Sequence, residues 1–128
     1  MLLKGKTARA VTAGGMQPED VVQRQVEAYN RHDLEAFSGA YADQVTLDRF
    51  PSMTRVLAGR AALERHYREN RFNLPGLRAE ILSRVCHGNK VIDQERVTGL
   101  VRGETVTAVV IYEVLDGLIH RVWFVDEN

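Results

Sequence analysis

One cysteine, Cys86, stands in the whole chain, so no internal disulfide can form and a reducing, cytoplasmic setting is expected. Its neighbour His87 suggests a thiol nucleophile. Adjacent residues on a strand point to opposite faces, so the pair reads instead as an inert cysteine beside an unrelated histidine. No apolar run approaches the roughly 18 residues that a membrane span needs, and no membrane partner is expected. Charge of one sign is missing as well. Lys plus Arg and Asp plus Glu number 17 each, with the basic residues scattered, which argues against nucleic acid as a partner. His32, His66, His87 and His120 form neither H-x-x-x-H nor H-E-x-x-H, and no glycine loop is placed to hold a phosphate. No metal or organic cofactor is therefore expected.

What remains is one domain's worth of sequence, 128 residues, enough to bury about two thirds of its unfolded surface around a single core. Residues 1–16, "MLLKGKTARAVTAGGM", lack a continuous apolar stretch and read as a flexible leader, with Met16 as an alternative start. The domain is expected over 17–128. Val21, Val22, Gln25, Val26 and Tyr29 recur at helical spacing behind Pro18, Glu19 and Asp20, which suit a helix's first turn. Asp33 caps a second helix expected over 34–41, and "QVTLDRFP" alternates as a strand up to Pro51. "GRAALERHYREN" predicts a third helix with Ala62, Leu63, His66 and Tyr67 on its inner side. From residue 77 the period becomes two, and four strands follow: 77–85, 89–101, 104–115 and 117–125. Helices followed by an antiparallel meander predict an α+β fold, with helices covering one face of a sheet.

The wording of these elements resembles a known superfamily. "VVQRQVEAYNRHDLEAFSGAYADQVTLD", with its N-x-x-D-L-E-A-x-x-x-x-Y-A-D spacing, then "LAGRAALERHY" and "VVIYEVLDGLIHRVWF" are similar to nuclear transport factor 2-like proteins, in particular the SnoaL-like and ketosteroid-isomerase-like branch. The resemblance implies a cone-shaped α+β barrel: a strongly bent, mainly antiparallel sheet encloses a pocket with helices in its concave face, and its outer face often pairs with a second subunit. It licenses no single reaction, because the superfamily includes isomerases, epoxide hydrolases, polyketide cyclases, dehydratases and pure binders. Tyr41 and Tyr67 match tyrosines that, in isomerase-like members, support a catalytic phenol on the first helix. Here that phenol's position holds Gln25. The isomerase's catalytic aspartate falls on Arg49, its second oxyanion donor falls near Val110, and the acid shared by hydrolases and cyclases falls on Phe124.

The resemblance at "IYEVLDG", carried back through the hairpin by face parity, implies that Val91, Asp93, Glu95 and Val97 turn inward, leaving Arg96 and Thr98 outside. It likewise sends Ala108, Val110, Tyr112 and Val114 inward, then Leu118, His120, Val122 and Phe124. Two acids at alternate positions of one strand would raise at least one pKa by desolvation and mutual repulsion. Asp93 or Glu95 is thus the candidate base, His120 a candidate proton shuttle, and Arg49 or Tyr67 a candidate oxyanion partner. The competing reading makes the acids ordinary ion pairs with Arg49, Arg96 or His120, and His120 a core histidine bonded to Tyr112. Tyr29, Tyr41, Phe50, Tyr67, Val110, Tyr112, Val122 and Phe124 are the expected walls of a pocket for a small, largely apolar molecule, with Gln25 among its polar contacts. Val109, Ile111, Ile119 and Trp123 fall on the opposite face, where a sheet-to-sheet homodimer is expected. Three functions stand side by side: an isomerase, cyclase or hydrolase without a cofactor, a non-catalytic binder or accessory protein, and a dimerisation scaffold.

Overall fold

The computed structural model describes residues 16–127. The expected leader, Met16 apart, lies outside the described residues. Helix α1 (Pro18–Asn30) begins with proline, which has no N–H to leave unsatisfied, while the Asp20 carboxylate accepts the N–H of Gln17 at 3.1 Å. Helix α2 (Leu34–Ser38) is capped by Asp33, whose carboxylate accepts the N–H of Ala36 at 3.1 Å. The chain continues through strand β1 (Tyr41–Phe50), β2 (Arg55–Ala58), helix α3 (Arg60–Asn70) and then β3 (Arg78–His87), β4 (Lys90–Thr98), β5 (Val106–Leu115) and β6 (Leu118–Val125).

Two of these elements differ from expectation. Helix α2 stops at Ser38, not at residue 41, and Tyr41 opens β1 instead of closing the helix. The reason lies on the neighbouring strand. The carbonyl of Ala40 accepts the N–H of Ile119 at 2.9 Å, and Tyr41 stands in parallel register with Ile119, so pairing with β6 replaces another helical turn. Strand β2 has only four residues, too few for alternation to declare itself, and was not anticipated.

The strands order as β2-β1-β6-β5-β4-β3, antiparallel except where β1 runs parallel to β6. Among the described strands the sheet is not closed into a ring; β2 and β3 are its edges. Its concave face receives α1. Val21, Val22, Leu63, Val91, Val122 and Ile119 are each at most 2% exposed there. Asn30 at the end of α1 ties the helix to edge strand β3: its side-chain amide donates to the carbonyl of Ala79 at 2.9 Å, and its oxygen accepts the Ala79 N–H at 2.7 Å. The amide thus occupies an edge-strand pair of backbone groups that would otherwise lack a partner.

Gly99 is the one glycine that the packing demands outright. Its φ is +75°, and a Cβ there would lie 1.9 Å from the carbonyl oxygen of Gly76. Only a residue without a side chain lets the end of β4 cross the start of β3 this closely. That crossing sets Leu100 against the cavity described next.

Candidate functional site

A cavity of about 780 Å³ opens between α1, the end of α3 and the concave sheet. Gln25, Tyr29, Tyr41, Arg49, Tyr67, Glu95, Tyr112, Val122 and Phe124, all named from sequence, line it. Four others do not. Phe50 follows inward-turned Arg49 on β1, so the pleat sends it to the outer face, 45% exposed. Val110 faces the concave side but is buried without reaching the cavity. His120 is displaced by a bulge: Glu113 pairs with Arg121 and Val114 with Ile119, leaving His120 unmatched. Parity therefore inverts below that point, and Ile119, expected outside, is fully buried. Asp93 is the fourth.

Asp93 and Glu95 do turn to the same face, but their surroundings separate them. The Asp93 carboxylate is fully buried and bound by both arms of Arg84, with Nε at 2.6 Å and Nη2 at 2.9 Å. A second bulge explains why this partner was missed. Ile81 pairs with Glu95 and Ser83 with Gln94, so Leu82 is extra and Arg84 lands inward, opposite Asp93. Gln23 accepts from the third guanidinium nitrogen at 2.9 Å, which completes a half-buried network around the buried Asp93. Glu95 lies one pleat further along, on the cavity wall, with no hydrogen-bond or ion-pair partner among the described residues. Burial pushes its pKa up to about 7, with the nearby Asp93 charge adding to the rise and Arg84 opposing it.

Four phenols share the cavity with Glu95. Gln25 links two of them: its side-chain oxygen accepts the hydroxyl of Tyr41 at 3.0 Å, and its amide donates to the hydroxyl oxygen of Tyr112 at 3.3 Å. A side-chain amide has one acceptor and one donor group, so the two tyrosines must take opposite roles. Tyr41 spends its proton on Gln25. Tyr112 accepts, and keeps its own proton to donate. Burial, then the charge of Glu95, holds the Tyr112 phenol well above its ordinary range, and the same causes raise Tyr67 to about 12. Both phenols are therefore protonated donors at neutral pH. Phe37 packs this group together, with ring centroids 4.8 Å from Tyr67, 5.2 Å from Tyr41, 5.3 Å from Phe72 and 5.7 Å from Tyr29.

Arg71, immediately after α3, also lines the cavity and was not named from sequence. It stands four residues after Tyr67, the spacing that puts two side chains on one helix face, so the inner stripe of α3 runs one position past the helix. His66, expected on the inner side of α3, packs edge-on against Tyr67 at 5.3 Å without lining the cavity. Arg49 stands at the mouth, its Nε bound to the Asp126 carboxylate at 2.7 Å. No group of three or more metal-ligating side chains occurs among the described residues, nor any helix long and apolar enough to cross a membrane.

A family model described as a SnoaL-like domain matches residues 22–122. The chain belongs to this family. No curated protein matches the chain. Among solved structures, an uncharacterised cystatin-fold protein from Novosphingobium aromaticivorans superposes with a TM-score of 0.78 at 21% identity, covering 88% of this chain and 100% of that one. A proposed ketosteroid isomerase from Kribbella flavida gives 0.70 at 24% identity, covering 84% and 76%. A proposed polyketide cyclase from Sinorhizobium meliloti gives 0.65 at 22% identity, covering 85% and 99%. At these identities the likeness concerns the fold alone.

In this SnoaL-like protein the curved sheet places four phenols and one carboxyl group, from β4, on the cavity wall. The raised pKa of Glu95 has a consequence for stability. The folded chain holds a proton that the unfolded chain, near its ordinary 4.5, has already lost, so stability falls as pH rises from about 4.5 to about 7. Below 4.5 both states are protonated; above 7 the loss is complete, on the order of 3 kcal/mol. Glu95→Gln should abolish this contribution. Denaturant unfolding of both proteins across pH 4 to 8 is expected to show the variant gaining on the parent up to pH 7 and holding its lead above it. Parallel stability curves would mean an ordinary carboxyl group.

Proposed function

We propose that this SnoaL-like protein binds a small, largely apolar molecule in the cone and transfers a proton on it through Glu95. The observation that carries this reading is the pairing of an unpartnered carboxyl group with committed phenol donors in one cavity. Near neutrality Glu95 is present in both protonation states, so it can remove a proton in one step and return it in the next. Tyr112, directed by Gln25, and Tyr67 would donate to the oxygen on which negative charge gathers when a proton leaves the carbon beside a carbonyl. The bond change is a carbon acid's proton passing to Glu95, its electron pair moving to the carbonyl oxygen, and reprotonation elsewhere on the same molecule. That is chemistry of the isomerase or cyclase kind. A reducing, cytoplasmic setting, supported by the single cysteine, belongs to the same reading.

A non-catalytic binder is favoured by one observation: Arg49, where isomerase-like members carry their acid, is engaged with Asp126 and contributes no base. The two readings part on one variant. Mass spectrometry of small molecules that co-purify with the protein identifies the occupant. Glu95→Gln should then retain that occupant within about threefold in affinity while losing at least a hundredfold in its turnover, as removal of a general base does. Binding without any chemical change in the parent protein would leave the binder.

The convex face supports a second proposal, a homodimer through the outer sheet. Val85, Ile92, Ile111 and Trp123 stand in register across β3, β4, β5 and β6, making one apolar row. Arg121 lies over the Trp123 ring at 5.9 Å, and Glu113 binds both Arg121 and Lys90 at 3.4 Å along one flank of the row. Sedimentation should report a dimer that Ile111→Lys converts to a folded monomer; a monomeric parent would contradict the pairing.

A further inference from the structure

We infer that the molecule seated in this cavity carries a carboxylate, and that Arg71 is its anchor. The inference rests on the cavity being a binding site, as proposed above, and adds the class of ligand.

Two side chains of permanent positive charge line the cavity, Arg49 and Arg71. Arg49 is spent. Its Nε binds Asp126, which also accepts the Ser52 N–H at 3.1 Å. Arg71 has no carboxylate within ion-pair distance among the described residues. Its Nη1 donates to the carbonyl of Asn70 at 2.9 Å, and its charge stands near enough to the Tyr29 phenol to oppose the rise that burial gives that group. A guanidinium has five N–H groups in a planar fork, so this contact leaves four of them without an acceptor among the described residues. The backbone beneath is held firmly, because the N–H groups of both Arg71 and Phe72 bond to the carbonyl of Tyr67, at 3.0 and 2.8 Å. A fixed, half-buried cation with spare paired donors matches the geometry of a carboxylate better than that of a neutral oxygen.

The remaining walls suit the rest of such a molecule. Val26, Leu47, Val97, Leu100, Val122 and Phe124 add apolar surface to the cavity wall. The acids around the cavity do not compete for Arg71. Asp126 is bound by Arg49, Glu127 is exposed at the rim, and Glu95 has no ion-pair partner among the described residues. An apolar acid thus places its charged end at Arg71 and its body along the cone.

Octanoate and octanamide, matched in size and differing in charge, test this by calorimetry or NMR titration at pH 6, where Glu95 is mostly protonated. Octanoate should bind at least tenfold more tightly than octanamide. Arg71→Met, which keeps the apolar stem, should bring octanoate down to the amide's affinity and leave octanamide unchanged, whereas Arg49→Met should preserve the ratio. Equal affinities in the parent protein overturn the inference without reference to any variant, and leave the cavity as a binding site. A ratio that survives in Arg71→Met, or vanishes in Arg49→Met, overturns the role of Arg71. If neither compound binds the parent protein, both the inference and the cavity reading fail.

Discussion

The two-armed bond between Arg84 and Asp93 is the interaction on which the rest of the site depends. Strand pleating sends two acids of β4 to the concave face, and a pair of adjacent unpaired carboxylates there would be costly in so apolar a setting. Arg84 settles one of them. With Asp93 satisfied in geometry and charge, only Glu95 is left to meet the cavity, close enough to feel the Asp93 charge and to be opposed by Arg84. The ion pair is therefore structural, and it leaves the neighbouring carboxyl group as the one acid of β4 that meets the cavity.

The opposite roles of the two tyrosines bonded to Gln25 follow from a similar economy of groups. A phenol in place of Gln25 could rotate its single hydrogen either way; an amide offers one face of each kind and assigns the roles. Phe37, whose ring is fully enclosed by Tyr29, Tyr41, Tyr67 and Phe72, holds these rings in place by packing alone. Sequence, cavity wall and donor direction are linked through this one glutamine.

Much of the fold was legible because burial imposes periodicity. The stripe on α1, the caps at Pro18 and Asp33, and the alternation on β4 and β5 each reflect a face that must be dry, and the SnoaL-like wording of the chain agreed with them. The inward positions of Glu95, Tyr112, Val122 and Phe124 follow from parity once the family likeness at "IYEVLDG" says which face is inner. What parity could not carry was an extra residue. Leu82 on β3 and His120 on β6 each interrupt the alternation without a glycine or proline to mark the place, so Arg84 was not seen opposite Asp93 and His120 was assigned to the wrong face. Tyr41 was placed on a helix because helix and strand compete closely over five residues, and the partner strand that decides between them lies far along the chain. Arg71 continues the inner stripe of α3 by one step of four from Tyr67, just past the point where the helix ends.

The central claim is that one carboxyl group stands alone against the cavity while its neighbour is bound. Carbon-13 NMR titration of the glutamate side-chain carboxyls, with the Glu95 signal assigned by its loss in the Gln variant, measures this directly. The account predicts a midpoint for Glu95 near 7. A midpoint near 4.5 would show the group to be solvated or paired, and would contradict the account.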